Sequence, residues 1–293
     1  MSETTTSAWP EIKLRVTADT RIAPHILVRS AVFSTLDFAG AAQRPTITGA
    51  EPLQLGAMSQ YHVEQLDGPR LSQGDADLMF WLLSRAYRNG APKGIATVFF
   101  KRAEALIELG RSRGGKTDAL LDDSLQRLCS AEFRFEVRDK ATKEMRALAR
   151  TRLVAKFDRV ADNAEYEYRV TIAGGVAALM KNGAWVALPA KICRKLARDP
   201  LAQGLHAHFA SHKLLHDTWP DTLKDLMGRK STKQGSKWLR VLEAALAKVS
   251  AATAWPQCEL AKTGPSPGKV VVRKGAPRRK KASSEETFKQ AAE

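Results

Sequence analysis

Only three of the 293 residues are cysteine, Cys129, Cys193 and Cys258, and they are too widely separated to form a CxxC metal site or a disulfide framework. Three apolar, buried side chains in a reducing compartment are expected. Long apolar runs are also missing: no stretch approaches the roughly 18 consecutive apolar residues that cross a bilayer. The polar start MSETTTSAWPE has neither the basic nor the apolar region of a signal peptide, so a cytoplasmic protein without membrane contact is expected. Aromatic residues make up 7% and are not interleaved with basic ones along strand-like segments, which argues against a platform that stacks single-stranded bases. Acidic residues are scarce as well. Against 47 Lys and Arg stand 31 Asp and Glu, a net charge of +16, which favours a polyanionic partner over a small neutral substrate. The excess is uneven, with 22 basic against 9 acidic residues in 173–293 and 25 against 22 in 1–172. The polyanion is expected to meet the C-terminal half.

The 44% of hydrophobic residues suffices for two modest domains. Residues 1–70 are broken by Pro and Gly and read as an irregular N-terminal lead-in with short strand-like pieces at Ile12–Val16 and His25–Phe33. Residues 71–172 read as a first domain. Leu78, Trp81, Leu82 and Arg85 have helical spacing, Ala96–Phe100 is a short strand, and two helices follow, one ending at Leu109 and one over Lys116–Cys129. The β-rich segments Glu132–Arg138, Arg146–Asp158 and Glu165–Ile172 then suggest a hairpin wing. Residues 173–274 repeat the order: a helix near Gly175–Met180, a strand at Trp185–Leu188, helices at Leu201–Leu215, Asp221–Met227 and Thr232–Val249, and a hairpin from Thr253–Leu260 and Lys269–Arg273. The expected class is α+β, two tandem winged-helix domains, each a helix-turn-helix with a β-hairpin wing. Residues 275–293 contain Pro277-Arg-Arg-Lys-Lys281 and are expected to be a disordered basic tail.

The segment Thr232–Val249 is the most informative. Trp238, Leu242, Ala245, Leu246 and Val249 share one helical side, and Lys233, Ser236, Lys237 and Arg240 share the other. Arg229 and Lys230 precede it, where side chains and backbone amides turn toward phosphates. A charged outer face is usually only solvated, but the surrounding helix-turn-helix order points to DNA. With Gln234 and the hairpin residues Lys269, Arg273 and Lys274, these form the main candidate DNA-binding set. The corresponding helix of the first domain is mixed in charge, and Arg111, Arg113 and Lys116 are its candidate phosphate contacts.

Two catalytic patterns compete. Gly110-Arg-Ser-Arg-Gly-Gly-Lys-Thr117 satisfies the phosphate-loop pattern of nucleotide hydrolases, which requires a buried strand leading into the loop; Arg102–Leu109 instead has helical spacing. His206, His208, His212 and His216 include a His-Ala-His resembling the metal motif of rolling-circle nicking enzymes and could also hold zinc at i to i+4 steps. The nickase motif belongs on a strand, and this segment reads as a helix. No metal, no cofactor and no catalytic activity is expected.

The ordered motifs Phe209-Ala-Ser-His212, Leu223-Lys-Asp-Leu226-Met-Gly228, Ser231-Thr232 and Trp238-Leu-Arg-Val-Leu242-Glu-Ala-Ala245, with Ala8-Trp9-Pro10, Arg29-Ser-Ala-Val-Phe33 and Leu125-Gln-Arg-Leu128, resemble the TrfA-type replication initiators of broad-host-range plasmids. The resemblance spans most of residues 8–260. It implies tandem winged helices that bind directly repeated iterons in double-stranded origin DNA, promote opening of adjacent A+T-rich DNA and recruit the host replicative helicase and other initiation factors. It also implies self-association between monomer and dimer. The groove-reading positions it implies lie around Arg229, Lys230, Lys233, Gln234, Lys237 and Arg240. The chain departs from the family in its basic tail and in lacking a convincing sliding-clamp motif. A winged-helix transcriptional regulator is the alternative reading.

Overall fold

Strand β1 (Thr20–Pro24) runs directly into α1 (His25–Val28), and the short strands β2 (Phe33–Ser34), β3 (Thr46–Ile47) and β4 (Leu53–Leu55) follow. The computed structural model describes residues 8–38, 44–112, 114–160, 165–229 and 235–275, with the backbone alone for 115–118 and 235–236. Next come the nine-residue β5 (Tyr61–Pro69) and β6 (Leu71–Ser72). The irregular lead-in expected over residues 1–70 is therefore corrected: its described part is strand-rich, and Ile22, Val32 and Val63 have no exposed surface. The strands are short because Pro and Gly interrupt them; β2 pairs with β6 and β3 and β4 with β5, whereas β1 and β5 also find partners far along the chain, outside any local pattern. β1 pairs with β12 (Trp185–Pro189), and β5 pairs with β8 (Glu132–Arg138).

Helix α2 (Gln73–Ala86) starts where the Ser72 N–H donates to the Asp75 carboxylate at 2.8 Å, closing its first turn. Strand β7 (Thr97–Phe100) leads to α3 (Arg102–Leu109) and α4 (Gly115–Ser130). Asp75 is fully buried, and Arg127 of α4 reaches it through Nη2 at 2.8 Å and Nε at 3.1 Å. This forked pair fixes α2 against α4. On the other side of α2, the Trp81 indole donates to Glu108 of α3 at 2.7 Å.

The single wing expected from three β-rich segments is replaced by two sheets. β8 pairs with β9 (Met145–Arg152), so that β3, β4, β5, β8 and β9 make a five-stranded sheet. The chain then passes through buried Leu153 into β10 (Val154–Arg159), which pairs with β11 (Tyr168–Ile172), and β11 pairs with β7. The expected segment Arg146–Asp158 is thus two strands.

Helix α5 (Gly175–Leu179) leads through a 3-10 turn to β12, then to α6 (Ala190–Leu196), α7 (Pro200–Ala210), α8 (Pro220–Leu226) and α9 (Gly235–Thr253). β13 (Gln257–Leu260) and β14 (Val270–Arg273) close an antiparallel hairpin. Buried apolar side chains collect in two clusters, one from Trp9 to Ala207 and one from Leu196 to Val272. Val176, Leu179 and Leu188, expected to open the second domain, pack in the first cluster, since β12 is drawn there by its pairing with β1. The second cluster is built by α6 to α9 and the hairpin.

Removing Arg127 takes the fork from the buried Asp75 carboxylate and leaves it Arg44 at 3.7 Å and the Ser72 N–H at 2.8 Å, a loss expected to cost about 2 kcal/mol. Arg127→Ala is expected to lower the urea midpoint accordingly, with Arg127→Lys recovering part of the loss because a single ammonium cannot reproduce the fork.

Candidate nucleic-acid interface

Helix α9 has one apolar side seated in the second core: Trp238, Leu242, Ala245, Leu246 and Val249 are all at most 5% exposed. Lys237 and Arg240 stand exposed on its N-terminal half, and Ser236 lies on its first turn. Near the other end, Lys248 bonds Asp199 at 2.6 Å, and Asp199 caps α7 by accepting from the Ala202 N–H at 2.9 Å. The cations of α9 are thereby divided. Lys248 pairs at the surface with the cap of α7, whereas Lys237 and Arg240 have no ion pair among the described residues. Lys230, Lys233 and Gln234 lie outside the described residues.

The β13–β14 hairpin stands at the same end. The Trp238 indole donates to the Pro220 carbonyl at 3.3 Å, placing the first turns of α8 and α9 together. Thr218 pairs with Val270 through two backbone hydrogen bonds of 2.8 and 3.0 Å, which adds the segment before α8 to the hairpin edge. Asp217 accepts from Arg273 at 2.9 Å and from Ser266 at 2.5 Å, and those bonds hold its carboxyl below the usual range. Lys269 lies with Nζ 4.9 Å from the centre of the Trp219 ring, which is itself 55% exposed. Neither Asp217 nor Trp219 was among the candidate residues from sequence. The Trp-Pro pair marks a helix start, but nothing local reveals that the ring would face outward.

Besides Arg273, which pairs with Asp217, three expected DNA contacts have other partners. Arg229 turns inward, its Nε donating to Thr35 Oγ1 at 2.7 Å and its Nη2 to the Thr35 carbonyl at 2.5 Å; burial lowers its pKa. Lys274 donates to the carbonyls of Phe209, Ala210 and His212 at the end of α7, where lysine complements the helix terminus. Arg111 donates to the Gly74 carbonyl at 2.9 Å. Each basic side chain found a backbone acceptor that linear spacing cannot show. Arg113 lies outside the described residues, and Lys116 is on the first turn of α4. The outward face of α4 carries Ala119, Leu120, Asp123 and Gln126, so it is not cationic over its described length.

The segment matching a phosphate loop lies between two helices. Gly110 adopts φ +70° as the left-handed cap of α3, and the Arg111 N–H returns to the Leu106 carbonyl at 2.8 Å. A helix end, not a strand end, therefore leads into it. The histidine-rich segment is helix α7 and its exit. His206 and His208 are buried, His208 Nδ1 lying 3.3 Å from the Val28 carbonyl. Among the described residues no group of three His, Cys, Asp or Glu side chains could hold a metal, and no helix is long and apolar enough to cross a membrane.

No protein-family model matches the chain, and no curated protein matches it by sequence. Solved structures do share its fold. Crystal structures of domains 2-3 of RctB, one of them from selenomethionine derivatives, align with a TM-score of 0.50 over 78% of this chain and 82% and 91% of theirs. Identity is 12% in both, so the likeness is one of fold.

Burial pulls His206 down to about 4 and His208 to about 3, helped by the charges of Lys274 and His212 respectively. Both lie below the ordinary 6.5, so the unfolded chain binds more protons throughout the interval between these values. Their contribution is complete above pH 6.5 and is lost as pH falls toward 4 and 3. Each is expected to remove about 2 kcal/mol of unfolding free energy between pH 8 and pH 5. Chemical denaturation across that range checks it, with a flatter pH profile for His206→Gln and His208→Gln.

Proposed function

We propose that this chain is a plasmid replication initiator that binds double-stranded DNA through its second half and has no catalytic activity of its own. The observation that carries the reading is the end of α9, where exposed Lys237 and Arg240 stand beside a basic hairpin while the opposite side of the helix is anchored in the core. In this reading α7, α8, α9 and the β13–β14 hairpin form a winged helix, with α9 entering the major groove and the hairpin lying along the backbone. A first winged helix consists of α2, β7, α3, α4 and the β10–β11 hairpin, with β8 and β9 inserted to extend the five-stranded sheet. Domains 2-3 of RctB share the fold. The TrfA-type motifs and the basic C-terminal half support the same function.

The chain then binds directly repeated iterons at an origin, promotes opening of adjacent A+T-rich DNA and brings in the host helicase and other initiation factors. Self-association balances its monomeric and dimeric forms. Groove insertion, phosphate neutralisation and DNA deformation supply the work, without a covalent intermediate.

The reading is tested with duplex carrying directly repeated sites, against a scrambled duplex, over several salt concentrations. Lys237→Ala with Arg240→Ala is expected to reduce discrimination between the two duplexes by about 10-fold or more, the worth of one bidentate base contact. Unchanged discrimination in a folded double variant removes α9 as the reader. Lys116→Ala is expected to leave ATP hydrolysis at background; a substantial rate abolished by that change assigns the glycine-rich turn to nucleotide chemistry instead.

A further inference from the structure

Trp219 is the largest exposed side chain at the end of the second half where α8, α9 and the hairpin meet, and its surroundings hold it still. The backbone on its N-terminal side is locked to Val270 through Thr218. Pro220 follows it and accepts from Trp238. The ring rests against the hairpin beneath Lys269, within ordinary contact distance of Gly268, where a Cβ would lie 3.6 Å from it. Despite these contacts the residue is 55% exposed, and its N–H has no acceptor among the described residues. A fixed aromatic with an unmet donor in a basic setting is suited to an anionic oxygen. Lys269 is the cation set over the ring, while Arg273 on the same hairpin is paired with Asp217.

We infer that the Trp219 indole N–H donates to a DNA backbone phosphate, with Lys269 neutralising the same stretch of backbone, so that the hairpin end and the α9 end grip one duplex at two points. The inference rests on the DNA-binding reading above and adds a contact that carries no sequence information. Because Pro220 touches Trp238, the neighbour of Lys237, the indole and the α9 cations address adjoining parts of the duplex. The indole is neutral and releases no counterion, which gives it a signature distinct from lysine.

The test uses the full-length protein and a fluorescein-labelled mixed-sequence duplex, titrated at several salt concentrations. Trp219→Phe keeps the ring on which Lys269 rests and removes only the donor; circular dichroism and the urea midpoint confirm its fold. The expected result is about 10-fold weaker binding for Trp219→Phe and Trp219→Ala, equal on repeat-bearing and mixed-sequence duplexes, with an unchanged salt slope. Lys269→Ala is expected to lower the salt slope by about 0.9. Should both Trp219 variants bind like the parent while the Lys237, Arg240 double variant loses discrimination, the inference falls and the functional reading stands. If only Trp219→Ala weakens binding, the ring supports the hairpin and the donor assignment is overturned. If the double variant also retains full discrimination, the functional reading fails first and the inference goes with it.

Discussion

The direction in which α9 faces depends on a seam between residues 29–35 and the ends of α7 and α8. Thr35 is its centre: its N–H and its hydroxyl both donate to the Met227 carbonyl, at 3.0 and 2.9 Å, and its hydroxyl oxygen accepts from Arg229 at 2.7 Å. Arg29 adds a bond to Ser211 at 2.9 Å, just past α7. Gly228, at φ +68°, lets the chain turn there, and a Cβ on it would stand 3.1 Å from the Ser34 Cα. The two apolar clusters are thus joined by directional bonds as well as by packing. Such bonds specify an orientation that nonpolar contact alone leaves loose.

Within the second half, charge is allocated by position. Lys248, Lys274 and Arg273 each close a structural contact, with Asp199, the α7 carbonyls and Asp217 respectively. Lys237 and Arg240 are left for solvent or a partner. The same helix can therefore be anchored at one end and available at the other, and the anchoring cations limit how far it could tilt when the available ones engage.

Periodicity made the helices legible. The 3.6-residue repeat of Trp238, Leu242, Ala245 and Val249 identified α9 and its buried side, and the apolar runs with turn residues located β13 and β14 to within a few residues. Pairing was not legible, because a strand such as β1 carries no mark of the strand it will join. That is why the first 70 residues read as irregular and why β9 and β10 read as one strand. The candidate site divided along similar lines. Lys237 and Arg240 are where helical spacing puts them, whereas Arg229, Arg111 and Lys274 were lost to backbone acceptors brought near only by the fold. Trp219 was missed for the complementary reason, since its exposure is set by the hairpin it leans on.

The pairing of β1 with β12 also bears on how the protein is made. Translation delivers Thr20–Pro24 long before Trp185–Pro189, so this strand pair cannot close until well over half the chain has left the ribosome. During that interval Ile22 and Ala23, fully enclosed in the finished molecule, have no β12 to cover their edge. A nascent chain halted before residue 185 would present that edge to chaperones or to other chains, and closure of so distant a contact makes for slow folding. A strand made early is thus among the last to find its place.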